Sequence, residues 1–360
     1  MSHEPVPGKT FAGVPIVCFA PYARDLLTVM GSCVHFIWLM HVRSAGVSSL
    51  TEVMKKIRSQ GFYQTFAVLG VLYLFVFAYI PMFGLIIAFK DFKLASGIPG
   101  FFTSEWVGLK WFEEFYNDIN FWKIIRNTVA ISVLKLIFTF PIPILFALIL
   151  NEVRKQAVKR VVQTVSYLPH FISWIVVSGI VFSMLNESNG LINQGLIALG
   201  MIKEPISFLA NSNYFWAILV VSDVWKEMGW WTILFLAAIV GVDQTMYEAA
   251  VVDGASRIQR IIKITLPSIK PTIVIVLILS LGNLFGGGLG GSNFEQAYLL
   301  GNQLNNDVSE ILQTYTLKMG LAQGRYSYAT AIDLLQSVIS LILVFTSNYL
   351  AKRASGVGLF

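Results

Sequence analysis

Six stretches of this chain are apolar almost throughout, at roughly 65–89, 127–150, 163–185, 214–240, 272–290 and 327–350. Each matches the ~20 apolar residues that cross the hydrocarbon core of a bilayer as a helix. The pattern predicts an all-α, polytopic membrane protein with six transmembrane helices. The segments between the stretches alternate in charge. Segments 51–64, 151–162, 241–271 and 351–360 hold 13 Lys and Arg in 67 residues, against 8 in 101 for segments 90–126, 186–213 and 291–326. Basic loops stay on the cytoplasmic side, so both termini and the loop 241–271 are expected in the cytoplasm.

Composition supports this pattern. Of 360 residues, 56% are hydrophobic and 13% charged, about half the charge of an ordinary soluble domain. The net charge of +6 is scattered between apolar runs, and a nucleic-acid surface needs clustered cations. Cys18 and Cys33 have neither a metal spacing nor the numbers for a disulfide framework. They share residues 1–53 with three of the four histidines, His3, His35 and His41. That segment reads either as an upstream extension of a frame starting at Met54 or as an extra hydrophobic helix or arm around Leu26–Val42. Residues 54–360 form the membrane domain.

Ionisable side chains inside a membrane usually face a bundle interior or a wet cavity. In the fourth stretch Asp223, Lys226, Glu227 and Trp230 fall on one helical face, and Lys226 stands one turn from Asp223 as a local ion-pair partner. Thr330, Asp333, Gln336, Ser337 and Ser340 form a polar stripe in the sixth; Ser280, Asn283 and Gly287 form one in the fifth. Lys135 lies deep in the second, before a kink expected at Pro141 and Pro143. His170 reads as a satisfied interior histidine behind Pro169. Small residues in such stripes suit helix–helix contact. Asp223, Glu227, Trp230, Asn283, Asp333 and Gln336 are instead candidates for a hydrated solute path, because amides, carboxylates and indole faces suit sugar hydroxyls and C–H faces. A peptide or another polar solute fits them too. The first outer loop mixes Phe101, Phe102, Trp106, Trp111 and Trp122 with acids, as an interfacial aromatic belt does. Gly286–Ser292, GGGLGGS, lacks the GK[ST] ending of a phosphate loop.

The loop 241–271 is more specific. Thr245-Met-Tyr-Glu248 and Ser256-Arg-Ile-Gln259 both have capping-box form. They predict two short helices joined at Asp253-Gly254, the second presenting Ile258, Ile261, Ile262 and Thr265 and stopping at Pro267. Glu248-Ala249-Ala250, then Gly254, then Ile264-x-Leu266-Pro267 resembles the cytoplasmic EAA coupling motif of binding-protein-dependent ABC importer permeases. Asp253 and Ala255 match its extended form. YIPMFGLIIAFKDF (Tyr79–Phe92), ILNEVRK (Ile149–Lys155), YLPHFIS (Tyr167–Ser173) and YSYATAIDLLQS (Tyr326–Ser337) are similar to the carbohydrate-uptake branch, including the alginate type. The likeness covers about residues 60–353.

The resemblance implies a six-helix importer permease in the bacterial cell membrane, paired with a second related permease. It implies two copies of a cytoplasmic ATPase that bind ATP and magnesium, and an extracellular binding lipoprotein that delivers a saccharide, in this branch an oligosaccharide. The permease itself is then neither an enzyme nor a holder of metal or cofactor. Glu248 would cap and anchor the coupling helix, while Ala249, Ala250 and Gly254 would let the ATPase approach closely. Two other classes compete: an autonomous ion-coupled transporter using Asp223, Asp333 or Lys135, and a non-transporting sensor or scaffold.

Overall fold

The computed structural model describes residues 61–359; the segment 1–53 and the start at Met54 lie outside them. The regular elements among the described residues are helical, with one isolated antiparallel bridge between Lys90 and Trp106. The chain divides into two units, 1–86 and 87–360. The described part of the first is helical throughout. Helix α1 (Gly61–Leu74) passes through a π turn at Phe75–Tyr79 just before Pro81, whose missing N–H breaks the regular bonding ladder. Phe62, Phe66 and Phe77 are more than 60% exposed, as lipid-facing side chains are.

The second unit carries the bundle. Helices α2 (Gly97–Thr103) and α3 (Lys110–Tyr116) lie in the loop between the first and second predicted spans. Lys90 ties that loop down: its ammonium donates to the Phe101 and Phe102 carbonyls at 3.0 and 3.1 Å, groups left without partners at the end of a short helix. Next comes α4 (Phe121–Phe138), which starts six residues before the predicted span. The helical pattern runs out of the hydrocarbon through Lys123 and Arg126, so hydropathy alone places its start too late. At Thr139–Phe140 the helix breaks, and α5 (Pro141–Asn151) restarts with proline in its first turn, where no N–H is needed.

The third predicted span is not one rod. Helix α6 (Gln156–Tyr167) leads into a 3₁₀ turn at Leu168–Phe171, then α7 (Trp174–Leu185) departs at 102°. Pro169 supplies the break, and the Ser173 side chain caps the new helix by accepting from the Val176 N–H. Helix α8 (Ser212–Val240) fits its prediction and leads at a 71° bend into α9 (Gln244–Val252).

The fifth span differs most. A single apolar helical run, Arg257–Gly282, comprises α10 (Arg257–Arg260), a π turn at Ile261–Thr265 and α11 (Leu266–Gly282). Pro267 does not stop the second short helix. It occupies the first turn of α11, and the wider π turn before it accommodates the lost N–H. The helix ends eight residues before the predicted 290, because Asn283 and the glycines after it leave the helical region. Helices α12 (Asn293–Leu300), α13 (Leu312–Leu317) and α14 (Tyr326–Ser355) complete the unit.

Three buried clusters hold these helices. Phe140, Ile144, Ala147 and Leu150 pack with Phe235, Ile239 and Ile269. Ile131, Phe215, Leu219, Leu300 and Ile311 form a second; Phe115, Ile124, Tyr315, Tyr328 and Ile332 form the third. In the last, Asp118 accepts from the Tyr315 and Tyr328 hydroxyls at 2.5 and 3.3 Å and from the Asn120 N–H at 2.7 Å. Burial opposes its ionisation, but these hydrogen bonds outweigh it and hold the carboxyl below the ordinary 3.8.

Gly229 of α8 lies against the Ser166 carbonyl of α6, and a Cβ there would collide with that backbone. Gly229→Val is expected to lower the detergent-solubilised unfolding midpoint, consistent with ~1–3 kcal/mol of overpacking, whereas Gly179→Ala, with open space around it inside a helix, should leave it unchanged or raise it slightly. Tyr315→Phe removes a bond to the ionised Asp118. A carboxyl with a depressed folded pKa stabilises above its unfolded value and loses that contribution as pH falls through the folded one. The stability gap between wild type and Tyr315→Phe, followed by thermal melts against pH, should be widest near neutrality and narrow below about pH 4.

Candidate functional site

Two places in the second unit concentrate chemistry: a buried charged cluster in the bundle and the exposed helical pair α9–α10. The cluster starts from Lys135, one turn before the break in α4. Its side chain is 1% exposed and its ammonium lies 3.2 Å from Asp223 Oδ1. The break turns the Thr139 hydroxyl toward Asp223 Oδ2 at 3.0 Å. Ser292 accepts from Lys135 at 3.0 Å and donates to Asp223 Oδ1 at 2.5 Å. An ion pair out of water needs its remaining lone pairs satisfied, and the two hydroxyls do this. The expected Asp223–Lys226 pair does not form, because Lys135 reaches Asp223 from another helix.

Lys226 instead meets Glu227 Oε1 at 3.1 Å and donates to the His170 carbonyl at 2.7 Å. That carbonyl lies in the 3₁₀ turn between α6 and α7. Glu227 Oε2 lies 2.8 Å from His170 Nδ1, and the imidazole stacks on Trp230 with centroids 4.4 Å apart and planes 2° apart. His170 is thus satisfied, as expected, and it fastens the broken third span to α8. Gly290 completes the enclosure, since a side chain there would press on Asp223 and Glu227.

The six candidate path residues therefore separate. Asp223 and Glu227 are buried and engaged in ion pairs. Trp230 is 39% exposed beside His170. Asn283 shapes the turn after α11 by donating to the Gly288 carbonyl at 3.1 Å. Asp333 and Gln336 lie one turn apart on α14, and the Gln336 Oε1 is buried without a hydrogen-bond partner. Thr139 and Ser292 escape sequence reading; a hydroxyl beside a glycine run or a helix break carries little signal until its charged partner is known.

In the exposed pair, α9 is not capped by the Thr245–Glu248 box. Its N-cap is Asp243, whose Oδ1 accepts from the Thr245 N–H at 2.9 Å. Asp243 starts the helix two residues earlier, and that bond holds its carboxyl below the usual range. Glu248 is therefore free of any N-terminal capping and lies exposed in mid-helix. The second box is present: Ser256 Oγ accepts from the Gln259 N–H at 3.3 Å, and Gln259 Oε1 accepts from the Ser256 N–H at 2.7 Å. Between them Gly254 has φ +73°, with the Ala255 N–H bonded to Ala250 O at 2.8 Å and the Gly254 N–H to Val251 O at 3.1 Å. This is a Schellman turn.

Tyr247 and Thr265 join the two halves through their hydroxyls at 2.9 Å. The predicted isoleucine face splits at the π turn: Ile261 packs on the core and Thr265 is buried, while Ile258 and Ile262 are exposed. Met246, Val251 and Val252 are also exposed, Val252 by 86%. Ile264, Leu266 and Pro267 belong to the helix that returns into the bundle.

Removing one partner of a buried pair strands the other. Lys135→Met and Asp223→Leu alone are each expected to cost ~3–5 kcal/mol, and the double substitution to cost less than either. Unfolding midpoints of the four proteins in one detergent check this; additive losses would contradict the pairing.

Comparison with known proteins agrees with this architecture. The family described as "Binding-protein-dependent transport system inner membrane component" matches residues 139–356. Protein LplB of Bacillus subtilis (strain 168) is 46% identical over 291 residues, covering 81% of this chain and 88% of LplB. The polygalacturonan/rhamnogalacturonan transport system permease protein YteP of the same organism is 43% identical over 291 residues, with the same coverage of 81% and 88%. Among solved structures, a bacterial ABC transporter involved in the import of the acidic polysaccharide alginate aligns with a TM-score of 0.76 at 34% identity. The alignment covers 84% of this chain and 99% of that one. With a matched family over most of its length and close relatives that are permeases, the chain belongs to the binding-protein-dependent inner-membrane components, the multi-pass transport subunits of ABC importers.

Proposed function

We propose that this permease imports a saccharide, in the size range of an oligosaccharide, by alternating access driven by ATP hydrolysis in a separate subunit. A second, related permease completes the path. Two copies of a cytoplasmic ATPase bind the ATP and magnesium, and an extracellular binding lipoprotein delivers the sugar. Both termini and the loop 241–271 then lie in the cytoplasm. The relatives' names supply the substrate class: one is a polygalacturonan/rhamnogalacturonan permease, and another match is an alginate importer solved with an alginate pentasaccharide-bound periplasmic protein.

The observation that carries the coupling role is the build of α9–α10. Its two helices are separately capped, pinned by the Tyr247–Thr265 bond, and joined at Gly254 in a conformation that favours glycine. Yet the outward side of this pair is apolar and unpartnered among the described residues, with Met246, Val251, Val252 and Ile258 exposed. Such a patch on a well-built element suits a protein partner. Ala249 and Ala250 give that partner access to the backbone, with Glu248, Asp253 and Ala255 around them. Ile264, Leu266 and Pro267 carry the displacement into α11. On the path, Asp333, Gln336, Trp230 and Asn283 contact or border the solute, while Asp223 and Glu227 hold the helices that frame it.

Gly254→Asp is the test. Among the described residues, no atom beyond the chain neighbours stands within 4 Å of a Cβ at that position, so any loss beyond the ~1–2 kcal/mol of a left-handed non-glycine residue reflects the partner. Membrane insertion is expected to stay normal, while uptake by the reconstituted complex and its substrate-stimulated ATPase activity fall at least about tenfold, equivalent to 1.4 kcal/mol or more of coupling. Normal uptake overturns the coupling role. Uptake by the chain alone, abolished by a protonophore, would identify the ion-coupled alternative.

A further inference from the structure

We infer that the Tyr247–Thr265 hydroxyl bond is the brace that carries movement of α9 into α11, which makes both residues positioning residues for transport. The inference rests on the coupling role proposed above and names the contact through which that role is exercised.

Helix α9 is held to the rest of the chain sparingly. It is entered from α8 through a 71° bend and left through the turn at Asp253–Ser256. Tyr247 and Ala250 are half-buried and stand one turn apart on a single side, while the other residues of the helix are exposed. Among the described residues, the 2.9 Å bond between the Tyr247 and Thr265 hydroxyls is the one side-chain hydrogen bond that joins α9 to the run Arg257–Gly282.

The turn alone is a hinge. Gly254 has φ +73° with open space around it, and glycine restrains the backbone least. The hydroxyl bond closes the open end of that hinge, joining residues 18 apart in the chain. A hairpin fixed at its turn and again at its open end is a frame. It shifts or rotates as a body, but its arms cannot scissor.

Thr265 is placed to pass the movement on. Its side chain is buried, it closes the π turn, and Leu266 and Pro267 begin α11 directly after it. A threonine hydroxyl has one proton to give and lone pairs to accept with. Thr265 reaches the Arg260 carbonyl at 3.5 Å, which leaves Tyr247 as the donor across the bridge. The hydroxyl pair therefore grips the π turn across its width, at the place where a helix bends most readily. Without that grip, a push on α9 is absorbed by pivoting at Gly254. With it, the push arrives at the first turn of α11.

The assembled transporter in proteoliposomes, with its binding protein, provides the test, read as sugar imported per ATP hydrolysed. The probes are an oligogalacturonide and an alginate pentasaccharide, from the classes named for its relatives. Tyr247→Phe and Thr265→Val each remove the bond. Each is expected to lower the ratio about two- to tenfold, the range spanned by one net hydrogen bond, while ATP is still hydrolysed. The double substitution should fall no further than the worse single one, and Thr265→Ser, which keeps the hydroxyl, should hold the wild-type ratio. If Thr265→Val does not insert, Tyr247→Phe decides alone. A second measurement is independent of the sugar and decides where neither probe is imported. In the assembled complex, with Cys18 and Cys33 replaced by serine, spin labels are attached at Gln244→Cys and Lys263→Cys, both exposed positions near the open end of the frame. Their separation should be narrowly distributed with Tyr247 present and broad in Tyr247→Phe.

An unchanged ratio or an unchanged distribution in Tyr247→Phe overturns the inference. So do losses that multiply in the double substitution, or an equal loss in Thr265→Ser and Thr265→Val, which places the effect in packing. In each case the coupling role itself stands as long as Gly254→Asp abolishes uptake, and falls if Gly254→Asp imports normally.

Discussion

A lysine ammonium set in an apolar helix must meet an anion there or lose its charge, and the bundle is organised around that requirement. Lys135 reaches Asp223 from the second span to the fourth. The break after α4 turns Thr139 toward the same carboxylate, and the loop after α11 brings Ser292 between the two charges. Three separate parts of the chain thus converge on one ion pair. The neighbouring Lys226–Glu227–His170 group does the same for the broken third span. Apolar clusters supply area in all directions, whereas these pairs specify which helix meets which and at what height. In a membrane that distinction matters, because lipid is as apolar as leucine and does not drive helices together by itself.

The exposed pair α9–α10 follows a different rule. Its stability is local, from two caps, a left-handed glycine and one hydroxyl bridge. Among the described residues, no core cluster includes Val252 or Ile258, which are 86% and 69% exposed. An element built to keep its shape without burying its apolar side is suited to present that side to something else.

Much of this was legible in the residues because the governing forces are local or periodic. Span positions follow from hydropathy, the turn at Gly254 from the demand for positive φ, and the Ser256–Gln259 box from side-chain reach. Asp223, Lys135 and His170 announce themselves as ionisable groups in apolar surroundings. Their pairing does not, since the local Lys226–Asp223 contact looks equally good until α4 is packed against α8. The bend of 102° after α6 was hidden for a related reason: hydropathy averages through Pro169 and cannot report direction. The continuation of the helix through Pro267 required the π turn, a backbone adjustment with no residue signature. Asp243 outcompetes Thr245 as a cap because an aspartate gains both the hydrogen bond and the favourable field of the helix N-terminus.

The same continuity joins the two sites. Because Pro267 leaves the helix unbroken, Arg257–Gly282 forms one helical run of 26 residues, from the α9–α10 pair to the glycine turn, about 39 Å at the usual rise. Ten residues beyond its end stands Ser292, bound to both Asp223 and Lys135. A displacement imposed on α9–α10 therefore moves a stiff element whose far end leads to a tightly satisfied charge cluster in the bundle. Buried ion pairs tolerate little stretching before their desolvation cost returns, so this coupling favours discrete arrangements over graded ones. In the proposed cycle, the helix delivers the ATPase's closure to the cluster, and the cluster makes the response all or none.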